Sequence, residues 1–133
     1  MTHFENVGGE PALRRILEDF YDRVFNDLMI GYLFKGRDKA RLVTLELQLT
    51  ARVMGADLVY EGRPMRAAHQ SLSINRGQFQ RRNQLLRETL RDHAVPDDVQ
   101  RAWVAHATAL EKAILGGRAD PDCAPPRGPD SDP

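Results

Sequence analysis

Between residues 13 and 28 apolar side chains recur at every third or fourth position, at Leu13, Ile16, Leu17, Phe20, Tyr21, Val24, Phe25 and Leu28. That spacing is one face of an α-helix, and Gly8-Gly9 with Pro11, whose fixed φ suits a first turn, marks its start. The stretch DLMIGYLFKG breaks the pattern with two glycines. Asp38 is then placed to cap a second helix running to about Met54, with a stripe of Leu42, Leu45, Glu46, Leu49 and Val53. A loop containing Gly55, Tyr60 and Gly62 leads to Pro64, which suits the start of a short helix carrying His69. Asn75 with Gln78 has the form of a capping box for a third long helix, whose stripe is weak and rich in arginine. Pro96, Asp97 and Asp98 open a last helix with Val99, Ala102, Trp103, His106, Leu110 and Ile114 on one side.

No segment alternates in the manner of a strand, and no internal repeat is visible, so the pattern predicts an all-α fold of four long helices and one short one around a single core. From residue 116 the chain reads GGRADPDCAPPRGPDSDP, with almost nothing to bury, and is expected to be a disordered tail. The division is therefore a domain over 1–115 and a tail over 116–133. The 133 residues suffice for one core.

Charge narrows the partners. Nineteen Lys and Arg balance nineteen Asp and Glu, which leaves no basic excess for nucleic acid. No run of ~18 apolar residues is present to span a bilayer, and MTHFENVGGE lacks the apolar core of a signal peptide. Cys123 is alone and can form no internal disulfide. A cytoplasmic protein without nucleic-acid or membrane partners is expected. His3 and His93 read as exposed, His106 as a core residue, and Arg76, Arg81, Arg82, Arg87 and Arg91 as a solvated helix face.

Three residues resist that plain reading. Met65, Ala68, His69 and Leu72 share one helical face, so the imidazole of His69 points where the apolar residues point. Spacing alone favours a core histidine with both nitrogens satisfied. However, Ala67 and Ala68 would admit a flat group, and no second His or Cys lies at metal-cage spacing, which leaves haem as the ligation to consider. Glu46 stands in the apolar stripe of its helix and must be paired, solvated or protonated; Arg52 and Lys39 are the cations expected within reach. Tyr21, if buried, needs a partner for its hydroxyl.

In their order and spacing these residues resemble the group I truncated haemoglobins, over residues 4–115. The resemblance rests on Gly8-Gly9, the Phe20-Tyr21 pair in EDFYDRV, Phe34 in LFKG, Tyr60 and Gly62 in GADLVYEG, and His69 in MRAAHQSLSI. It implies a two-on-two helical sandwich enclosing one haem b. His69 would be the iron ligand, Phe34, Leu42, Leu45, Tyr60 and Arg66 would line the haem pocket, and Tyr21, Glu46 and Leu42 would face the bound gas. Two positions depart from the family: Glu46 stands where glutamine is common, and Leu45 where a basic residue often pairs with a propionate, so that pairing would fall to Arg66 and Tyr60. An ionised Glu46 accepts hydrogen bonds but donates none. The family implies binding of O2, NO and CO for oxygen transport or NO detoxification, by a monomer or weak dimer. NO dioxygenase or peroxidase-like turnover would require a separate reductase. The alternatives are a gas or redox sensor acting through a protein partner, and a haem-free structural module.

Overall fold

A computed structural model describes residues 2–56 and 74–116, with side chains as far as residue 113. The short helix expected at Pro64, with Tyr60, Arg66 and His69, lies outside the described residues, as do residues 117–133. Five α-helices and no strand occur among the described residues: α1 His3–Val7, α2 Gly9–Phe25, α3 Lys39–Val53, α4 Arg76–Asp92 and α5 Asp97–Gly116, with a 3-10 turn over Gly31–Phe34. None is long and apolar enough to cross a membrane.

The helix boundaries follow from local chemistry. The Asp38 carboxylate accepts from the Arg41 amide at 3.2 Å, and Asn75 and Gln78 satisfy one another's backbone amides at 2.8 and 2.9 Å, so both expected caps form. α1 was not expected from apolar spacing. It is held by a second capping box, between Thr2 and Glu5, and by the Phe4 amide on the Met54 carbonyl at 3.1 Å. Gly8, at φ +111°, ends α1 in the left-handed region and turns the chain into α2.

α2 packs against α3 and α4, α4 packs against α5, and α1 bridges α2 and α5. Leu13, Leu17, Phe20 and Val24 of α2, Val43, Leu47 and Ala51 of α3, Leu86 and Leu90 of α4, and Val99 and Trp103 of α5 close one core. Gly31 is required in the turn after α2, where a Cβ would lie 2.6 Å from the Phe25 carbonyl oxygen.

Three expectations are corrected. Leu28 lies beyond the end of α2 and is fully exposed. The buried face of α3 is Val43, Leu47, Thr50, Ala51 and Met54, one residue from the expected stripe and so turned by about 100°. Val53 consequently stands half in solvent, while Leu42, Leu45, Glu46 and Leu49 are only partly buried. Finally, Arg82 is buried on the apolar stripe of α4, not solvated.

Candidate functional site

The inner face of α2 places Tyr21 almost wholly inside, with ring edges on Phe20, Phe25 and Phe34 at centroid separations of 5.1, 6.4 and 6.5 Å. A buried phenol needs a partner. It finds Glu46 of α3, whose Oε1 accepts from the Tyr21 hydroxyl over a long 3.3 Å. The other carboxylate oxygen, Oε2, takes Nη2 of Arg82 from α4, also at 3.3 Å, with the Thr50 hydroxyl 3.5 Å away. Three helices thus converge on one carboxylate.

This pair is nearly dry, with the Arg82 side chain 6% and the Glu46 side chain 10% exposed. Two charges so placed are tolerable only with their remaining polar atoms satisfied. Nη1 of Arg82 reaches the Asn83 amide oxygen at 3.1 Å, and the guanidinium lies 5.1 Å from the Phe20 ring centroid and 5.6 Å from that of Phe79, within cation–π range. Asn83 continues outward to Glu111 at 3.4 Å.

Burial, reinforced by the Glu46 charge, pushes the Tyr21 phenol well above its usual range, so it stays protonated and acts as a donor. Burial works against the charge on Arg82, but Glu46 and Tyr21 beside it hold the guanidinium above its ordinary value. His106 of α5 is pushed down by burial, with Glu46 opposing and Arg82 adding to the effect. Its Nε2 is buried and finds no hydrogen-bond partner among the described residues.

The structure therefore brings Tyr21, Glu46 and Phe34 together, with Leu42 and Leu45 partly buried on the Glu46 face of α3. Tyr60, Arg66 and His69 are outside the described residues. The cation that meets Glu46 is neither of those expected: Lys39 pairs with Asp22, and Arg82 takes the place. The signal was present in the spacing Phe79, Arg82, Leu86 and Leu90, three and then four residues apart. No cluster of three potential metal-ligating side chains occurs among the described residues.

The family model for bacterial-like globins matches residues 2–115. A group 1 truncated haemoglobin, GlbN, of Synechocystis sp. is 32% identical over 120 residues, covering 86% of this chain and 97% of that protein. A group 1 truncated haemoglobin of Tetrahymena pyriformis is 26% identical over 115 residues, covering 86% and 95%. Among solved structures, the 2/2 haemoglobin from Synechococcus sp., in the cyanomet state with covalently attached haem, superposes with a TM-score of 0.80 at 24% identity, over 87% of this chain and 99% of that one. The Fe(III) form of the Tetrahymena pyriformis protein gives 0.70 at 25% identity, over 90% and 97%.

Proposed function

Because the chain belongs to the bacterial-like globin family, we propose that it is a haem protein that binds O2, NO and CO, with haem b held by His69 and the gas taken beside Tyr21, Glu46 and Leu42. One observation carries this reading. The packing of α3 onto α2 leaves Leu42, Leu45 and Leu49 only partly buried on the face that bears Glu46, and Glu46 meets the buried Tyr21 hydroxyl. An apolar stripe with one polar pair along it fits a flat, largely hydrophobic group with a small polar ligand beside it.

Haem, when bound, would be held by His69 and would supply an iron able to take a diatomic gas. The chain's own residues do the rest. Phe34, Leu42 and Leu45 contribute apolar lining that excludes water. Arg66 and Tyr60 are the residues assigned to the propionates, to which a guanidinium gives a charge-assisted pair. Tyr21, kept protonated by burial, lies beside the gas with its hydroxyl directed at Glu46. Oxygen transport and NO detoxification both draw on such a pocket. The second would take electrons from a separate reductase.

The test is optical. The purified chain mixed with haem is expected to give an intense Soret band that shifts on addition of CO. His69→Ala should lose tight haem uptake and regain ligation in part when imidazole is supplied. A wild-type chain that takes up no haem would overturn the reading, and an unaltered band in His69→Ala would move the iron ligand elsewhere.

A further inference from the structure

Arg82 has no place in the pocket as read from sequence, yet it is the most deeply buried cation among the described residues and touches the polar pair directly. We infer that Arg82 is a positioning residue of the ligand site: by anchoring Glu46 as a charged acceptor, it holds the Tyr21 proton away from the gas and reduces the preference for O2 over CO. This rests on the proposal that the gas binds beside Tyr21.

The argument is one of proton counting. A phenol has a single O–H, and here it is directed at Oε1 of Glu46 at 3.3 Å. Glu46 cannot turn away to release it, because Oε2 is held by Nη2 of Arg82. Arg82 in turn cannot swing out, with Nη1 on Asn83 and its plane against Phe20 and Phe79. An ionised carboxylate offers the gas no donor of its own. Glutamine at position 46 would offer an N–H and would leave Arg82 without a counter-charge. The arginine and the glutamate are therefore one device, which neither accomplishes alone. A ligand that gathers negative charge on binding, as O2 does, gains from a donor; CO stays nearly neutral and gains little. A pocket whose donor is already engaged loses its means of telling them apart.

The test compares Tyr21→Phe in two backgrounds of the haem-loaded protein, the native one and Glu46→Leu/Arg82→Leu, in which both partners become apolar. O2 and CO release are followed by stopped flow. In the native background Tyr21→Phe should change O2 release by less than about threefold, since little donation is lost. In the doubly substituted background the hydroxyl is free to turn to the gas, and its removal should speed O2 release by about tenfold or more. CO release should change little in either. A tenfold effect on O2 in the native background overturns the inference, as does equal insensitivity in both.

Urea unfolding of the haem-free chain supplies an independent reading. Arg82→Leu alone should lower the midpoint more than Glu46→Leu/Arg82→Leu does, because only the single variant leaves a buried carboxylate without its cation. A double variant weaker than the single one overturns the anchoring role. Failure to take up haem at all would show in the Soret band and would fall on the proposed function, while this unfolding cycle would still decide whether Arg82 anchors Glu46.

Discussion

One oxygen of Asp27, Oδ1, receives both Nε and Nη2 of Arg81, at 3.0 and 2.7 Å, while Oδ2 caps the amides of Met29 and Ile30 at 3.0 and 3.2 Å. This carboxylate ties the turn after α2 to α4 and is only 7% exposed. Its pKa is held below the ordinary carboxylate value by Arg81, with burial opposing and the two amides assisting. A carboxyl depressed on folding stabilises the chain above its unfolded pKa of about 3.9 and ceases to do so as the pH falls through its folded value. Asp27→Ala should cost about 3 kcal/mol in urea unfolding at pH 7. The gap from wild type should narrow below about pH 4; a gap independent of pH would place the stabilisation elsewhere.

Gly31→Ala should cost about 2 kcal/mol or more by forcing apart a methyl group and the Phe25 carbonyl. Since Phe25 and Phe34 flank Tyr21, the same variant should also disturb haem retention. Retention at the wild-type level would show that the turn yields without moving the rings.

His106 is depressed by burial, so the unfolded chain takes up a proton first. Stability should therefore decline as the pH falls below about 6.5, the ordinary histidine value. His106→Leu should remove that part of the decline, as measured by urea midpoints at pH 7.5 and 5.5, conditions chosen to lie about one unit either side of that value. Parallel wild-type and variant curves would contradict the burial argument.

Leu45 of this chain is only partly buried. Leu45→Asp should therefore change its unfolding by less than about 1 kcal/mol, yet speed transfer of haem to a competing apoglobin by about tenfold, since the charge would face the apolar cofactor. Unchanged transfer would mean that the stripe of Leu42, Leu45 and Leu49 does not line the haem site.

The features legible in sequence were those fixed by neighbours along the chain. Asp38, the Asn75 and Gln78 box, and Pro96 with Asp97 and Asp98 act over three or four residues, and each marks a helix start where expected. The phase of α3 was not legible, because Leu42, Leu45 and Leu49 make as good an apolar face as Val43, Leu47 and Ala51, and only contact with α2 decides between them. Arg82 was misread for a related reason: its partner is 36 positions away, and an arginine in isolation belongs in water. Thr2 and Glu5 did carry a cap signature, but a five-residue helix shows no periodicity and is secured by Met54. The hydrogen bond from Tyr21 to Glu46 was not legible, because the resemblance assigned both residues to the gas and named no bond between them. The roles of Tyr60, Arg66 and His69 rest on that resemblance alone.

The seating of α1 has a practical consequence. The Phe4 amide holds the Met54 carbonyl, and the Thr2 side chain lies where a Cβ on Gly55 would come within 3.1 Å of it, so the amino-terminal residues clasp the end of the helix that carries Glu46. Trimming the chain to begin at Gly8, a natural choice for crystallisation, would unfasten that clasp about two turns from the ligand site. Measurements on such a trimmed protein would describe a looser end of α3 than the untrimmed chain possesses.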